Sequence, residues 1–173
     1  MDYELKRDKI LSLLKEVPGI GKVFPSRRHT TDWPSFLNRF AVPHPSDSSR
    51  KIICVCWFTR RPIVELDEGG TGSRDEATVL TGVEIDETWE ITLLYGFQDD
   101  DADPSEFGFQ NLVDAICKKF RWQDQLGGLP EIFISAPVNV TDAYLAMWGQ
   151  PEGVLCHTAI MQLKLKQRDR HQN

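Results

Sequence analysis

Long hydrophobic runs are missing from this chain of 173 residues: the longest unbroken apolar stretch, Ile52 to Phe58, has seven. A bilayer-spanning helix needs about 20, so no membrane partner is expected. The N-terminal MDYELKRDK mixes acids with bases and leads into no apolar signal core, which predicts a product retained in the cytoplasm. Internal repeats and low-complexity tracts are absent as well. With 40% hydrophobic and 27% charged residues, fibrous and wholly disordered classes are excluded. The length predicts a single domain, 1–173, large enough to bury a core without staples.

A strong positive balance is also lacking. The net charge is −6, which argues against a general nucleic-acid binder, because such proteins usually carry a basic face. The charge is unevenly spread. Residues 1–64 hold 12 bases and 6 acids, residues 65–106 hold 14 acids and one base (Arg74), and residues 107–173 hold 7 bases and 6 acids. Such polarity is compatible with ordinary solvated surface. It is equally compatible with a head-to-tail contact in which one subunit's basic patch meets the next subunit's acidic patch, a heterologous geometry that makes rings or filaments.

There are only four cysteines, and nothing marks an oxidising compartment. Cys54 and Cys56 sit in the strand-like IICVCWF, Cys117 on the apolar face of a helix, and Cys156 in another strand-like run. Buried, reduced thiols are expected. A metal set of Cys54, Cys56, Cys156 and His157 is the competing reading. It suffers because adjacent strand residues point to opposite faces, and the short-spaced ligand pairs of structural zinc sites are missing. No metal and no cofactor are predicted.

Periodicity supplies the elements. Tyr3 to Val17 reads as a helix through Ile10, Leu13, Leu14 and Val17, stopped by Pro18-Gly19. Gly21 to Pro25 is a short strand candidate, and Asp32-Trp33-Pro34 starts a short helix with Phe36, Leu37 and Phe40 on one face. Lys51 to Thr59 is apolar on both faces, as a central strand is, with Ile63 to Leu66 as an extension. A mobile loop is expected at 66–77. Thr78 to Ile85 and Glu87 to Phe97 read as two strands about a tight turn at Asp86-Glu87, the second with Trp89, Ile91, Leu93, Tyr95 and Phe97 on one face. Asp103-Pro104-Ser105-Glu106 opens a helix to about Trp122 whose stripe is Phe109, Leu112, Val113, Ile116, Cys117 and Phe120. A short strand at Glu131–Ala136, a helical turn or insertion from Asp142 to Trp148, a last strand from Val154 to Leu165 and a frayed tail at 168–173 complete the chain. The order predicts an α+β fold: a mainly antiparallel sheet of about five strands in a meander with one wet face, and helices packed on the other.

Recognisable catalytic motifs are absent too. Asp99, Asp101 and Asp103 alternate like the first ligands of a calcium loop, but Pro104 stands where glycine is needed and Gln110 where the closing glutamate belongs. That loop reads as capping and solubilising. The glycines at 69–72 and 19–21 lack the partners of a phosphate loop. Among His29, His44, His157 and His171, none sits beside a serine elbow or a cysteine signature; His157 reads as a hydrogen-bonded core histidine. Arg27, Arg28, Arg39, Arg50, Lys51, Arg60 and Arg61, with Trp33, Phe36 and Phe40 among them, form the remaining constellation. It is compatible with plain surface, a protein interface or single-stranded nucleic acid, the last disfavoured by the net charge.

The helix ending in KEVPGIGKVF, the strand WEITLLYGF running into an acidic loop and the helix SEFGFQNLVDAICKKFR, and the terminal HTAIMQLKLKQR resemble the tail-terminator and tail-completion proteins of tailed bacteriophages and prophages. The similarity lies in order and texture over most of the chain. It implies a non-enzymatic α+β subunit that forms a ring, commonly a hexamer, on the end of the tail tube and meets the head connector. The partners implied are other copies of the chain and tail-tube or head-completion proteins, in the bacterial cytoplasm during assembly and then in the virion tail. The family has no catalytic residues to carry over. Arg27, Arg28, Arg60 and Arg61 against Asp99, Asp100 and Asp101 are the subunit-interface candidates. The 66–77 loop and the 137–153 insertion depart from the family. A small cytoplasmic ligand-binding domain or enzyme of unknown reaction is the alternative.

Overall fold

The computed structural model describes residues 3–30, 32–44, 47–61, 82–98, 104–121, 124–149 and 153–170. The elements are α1 (Tyr3–Lys15), β1 (Lys22–Phe24), α2 (Trp33–Phe40), β2 (Ala41–Pro43), β3 (Lys51–Arg60), β4 (Gly82–Gly96), α3 (Ser105–Arg121), a 3-10 turn (Leu126–Gly128), β5 (Ile132–Trp148) and β6 (Val154–Arg170). The fold is α+β, built on one mixed six-stranded sheet in the order β1-β3-β4-β6-β5, with β2 also paired to β3. The β1–β3 pair is parallel, and the rest are antiparallel.

The side chains dictate two layers of cover. One face carries Cys54, Cys56 and Phe58 from β3, Trp89, Ile91 and Leu93 from β4, and Ala159, Met161 and Leu163 from β6. On it lie α1 through Ile10, Leu13 and Leu14, and α3 through Phe109, Leu112, Val113, Ile116 and Phe120. The α3 stripe is the one its periodicity predicts, except that Cys117 lies at its margin, half-buried. Each such side chain contributes about 1.5–3 kcal/mol by leaving water. Gly108 lets α3 descend onto β4: a Cβ there would stand 2.7 Å from the Tyr95 hydroxyl.

The opposite face is not wet at its centre, and helices do not keep to one side. Ile53, Val55, Trp57, Leu94 and Cys156 are covered there by Phe36 and Phe40 of α2. Asp32 caps α2, its carboxylate accepting from Ser35 N at 2.9 Å. Trp33 stacks on Phe36, and Phe36 meets Phe40 edge-on at 4.9 Å.

Three sequence expectations fail for one reason, the length of β6. The expected turn at Asp86-Glu87 is continuous strand, because Asp86 pairs with Lys166 and Glu87 with Leu165. The helical turn expected over Asp142–Trp148 is the outer half of β5, paired to Trp148↔Val154, with register shifts near Ile134, Ala136 and Val140 that accommodate Pro137. Of the tail expected to fray, 168–170 is strand, with Arg170 opposite Gly82, and 171–173 lie outside the described residues. The expected 66–77 loop, the Ile63–Leu66 extension and the Asp103 cap lie outside the described residues.

Candidate functional site

The two ends of the sheet treat charge differently. At the end where β3 finishes, α1 brings Lys6 against Glu87 of β4. The pair is 2.6 Å apart with both side chains at most 5% exposed. Glu87 also accepts from Trp89 Nε1 at 3.2 Å and faces Arg60 at 3.7 Å. The Arg60 guanidinium lies 5.1 Å over the Tyr3 ring, which itself stacks on Trp89. Arg61 turns to Glu90, at 3.0 and 2.6 Å from its two donors. Two of the four candidate interface arginines are thus engaged within their own chain.

Arg27 and Arg28 have a different setting. They follow β1 and line a groove of about 630 Å³ with His29, over a floor that includes Trp57, Leu94, Phe36 and Trp148. Trp57 meets Trp148 edge-on at 5.8 Å, and Trp148 Nε1 donates to Thr158 Oγ1 at 3.2 Å, so the aromatic floor is held from beneath. Arg28 lies 5.4 Å over Phe24, and no described acid pairs with Arg27 or Arg28. Cations over aromatic walls suit a partner that is both acidic and apolar. Asp99, Asp100 and Asp101 lie outside the described residues.

The chain leaving and re-entering around those aspartates is pinned. Ser105 Oγ accepts from Gln98 N at 2.8 Å, lies 3.0 Å from Gln98 O and also 3.0 Å from His157 Nε2. His157 Nδ1 stands 3.1 Å from Glu106 Oε2, and the ring stacks on Phe109 at 5.0 Å. Burial pushes the His157 imidazole below its ordinary value near 6.5, against a smaller upward pull from Glu106. A neutral ring with Nδ1–H donating to Glu106 and Nε2 accepting from Ser105 satisfies this network. Sequence reasoning placed His157 correctly as a bonded core histidine but missed both partners. Ser105–His157–Glu106 has the atom order of a nucleophile relay. Its hydroxyl, however, has one proton for two acceptors and is 6% exposed, already held by the Gln98 backbone. The arrangement closes the acidic segment's ends on β6.

Around that closure the surface is apolar. Phe97 donates its N–H to Leu155 O at 2.8 Å, and Leu155 pairs with Met147 in β5. Leu145 lies opposite His157. Exposures are 37% for Phe97, 49% for Leu145, 53% for Met147 and 68% for Phe107 in the first turn of α3.

The thiols behave as core. Cys54, Cys56 and Cys156 are buried and Cys117 half-buried, all free. Burial pushes Cys54 and Cys156 up to about 12, and Cys56 higher still. Cys156 packs on the α2 face while Cys54 and Cys56 face α1 and α3, so the proposed ligands do not converge. Among the described residues no three His, Cys, Asp or Glu side chains are grouped to hold a metal.

No protein-family model and no curated protein matches this chain.

Proposed function

We propose that this chain is a non-enzymatic, tail-terminator-like assembly subunit that forms a ring on the end of a phage tail tube and joins tail to head. The observation that carries the reading is the outer half of β5. It is an edge strand in the sheet order, and Val140, Tyr144, Leu145 and Met147 on it are each 38–53% exposed. An unpaired, apolar edge of this length is a template for pairing or docking with another chain, and a solitary protein normally blunts it. The charge polarity of the sequence and its resemblance to tail-completion proteins supply the direction. Among the described residues no helix is long and apolar enough to cross a membrane.

The test offers the protein to polymerising tail tubes. A terminator caps tubes at one length and is found at their ends; unchanged tube lengths with no bound protein would overturn the reading.

A second reading, a small ligand-binding domain, is favoured by a groove of about 520 Å³ beside Trp33, Leu37, Ile53 and Phe97, with Arg50 and Lys51 at its rim. A monomer whose melting temperature rises with a small anionic aromatic compound would support it.

A further inference from the structure

We infer that the groove under Arg27 and Arg28 is the receptor for the α3 corner of a second copy of this chain, with Phe107 as the plug. The inference rests on the assembly reading and names the contact that makes it.

Three observations converge on this pairing. First, the groove is rimmed by Arg27 and Arg28, neither paired with a described acid, over an aromatic floor closed by Trp57 and Trp148, while Asp32, also in its lining, is held by Ser35 as the α2 cap. Second, the α3 corner has the complementary chemistry. Phe107 is 68% exposed, more than any other described large hydrophobic side chain, and Phe97, at the other end of the acidic segment, is 37% exposed. Between them the sequence runs Gln98-Asp99-Asp100-Asp101-Ala102-Asp103-Pro104-Ser105-Glu106, five acids and no base. Third, the ends of that segment are tied to each other and to β6 through Ser105 and His157. Phe107 is thereby presented from a fixed helix end, and little order has to be imposed on binding.

Geometry sets the type of contact. Phe97 and Phe109 flank His157 on the α3 face, whereas Trp57, Leu94 and Phe36 of the groove lie on the α2 face. Plug and receptor are different surfaces on opposite sides of one sheet, so the contact is heterologous and propagates from copy to copy until rotation closes it. Arg60 and Arg61, engaged with Glu87 and Glu90, take no part. The apolar plug supplies affinity, and the charges set orientation and encounter rate.

The experiment places photoreactive benzoylphenylalanine at position 107 of the full chain and irradiates it over a range of protein concentrations. The expected products are covalent dimers and higher multimers, mapped by mass spectrometry to 27–40 or 144–149. Arg27→Glu/Arg28→Glu in the photoreactive chain should lower the yield at least tenfold. Mixing it with unlabelled Asp99→Lys/Asp100→Lys/Asp101→Lys chains, whose groove is intact, should restore the cross-link, now to the unlabelled chain; photoreactive chains with the reversed loop should in turn cross-link to unlabelled chains with the reversed groove but not to one another. Absence of interchain product up to millimolar protein, products mapped elsewhere, or yields indifferent to both reversals would overturn the contact. Running the wild-type chain in the tail-tube assay separates the two ideas. Tubes that are capped without this cross-link sink the contact alone, and a cross-link without capping sinks the terminator reading alone.

Discussion

The sequence contains two Arg-Arg pairs that look alike, Arg27-Arg28 and Arg60-Arg61, and the fold gives them opposite fates. Arg60 and Arg61 end a central strand, where β4 supplies Glu87 and Glu90 within reach. Arg27 and Arg28 follow an edge strand of three residues and stand over an aromatic groove with no described acid paired to them. One end of the sheet satisfies its charges internally, down to a buried Lys6–Glu87 pair. The other end presents apolar side chains outward, and the α2 face carries Arg27 and Arg28 without a described acid paired to them. A cation's availability to a partner is set by the acids the fold has already placed beside it.

The largest expected effect comes from breaking the self-satisfied end. Glu87→Gln leaves the Lys6 ammonium, 2% exposed, without its carboxylate. Removing one member of such a pair costs about 3–5 kcal/mol, read as a fall in the chemical-denaturation midpoint.

Next is the clasp at the other end. Ser105→Ala strips a hydroxyl shared by Gln98 and His157, leaving buried polar groups unmatched at about 1–3 kcal/mol, measurable by the same denaturation. The pH dependence sharpens the assignment. His157 is held below its ordinary value near 6.5, so the folded protein binds fewer protons there than the unfolded chain. Its contribution is complete above about pH 6.5 and is lost progressively as pH falls below that. Melting temperatures between pH 7.5 and 5 should decline in the wild type, and part of that slope should vanish in His157→Gln. An identical slope in the variant would refute the role given to His157.

Arg61→Ala should cost about 0.2–1 kcal/mol, the usual worth of an exposed ion pair, and should leave interchain cross-linking unchanged. The smallest effect on stability belongs to Arg27→Ala and Arg28→Ala, within about 0.5 kcal/mol, while the cross-link from position 107 weakens. If Arg61→Ala weakened association as much as these do, the contrast between the two pairs would collapse.

Much of the fold is legible because local rules and tertiary packing agree. The α3 stripe and the Trp89–Leu93 alternation are one-dimensional records of which face is buried. The outer half of β5 is illegible for the converse reason. Its residues are mostly exposed on both faces, so no alternation marks them as strand, and Pro137 argues against it locally. The candidate site is only half legible. The basic and acidic segments stand out by composition, but the Ser105–His157 contact joins residues 52 apart, and the groove under Arg27 and Arg28 draws its floor from α2, β3, β4 and β5.

Sequence by itself determined the α+β class, the helices, the buried thiols and the charge polarity, because each depends on neighbours a few residues away or on composition. Only the tertiary structure decided that helices cover both faces, that β4, β5 and β6 run long, and which arginines are paired within the chain. A strand acquires its length from the partner that receives its hydrogen bonds, and an arginine's freedom depends on the carboxylate across the sheet. Both relations cross from 29 to more than 80 residues of chain, as in Arg61–Glu90 and Lys6–Glu87. No local pattern carries them.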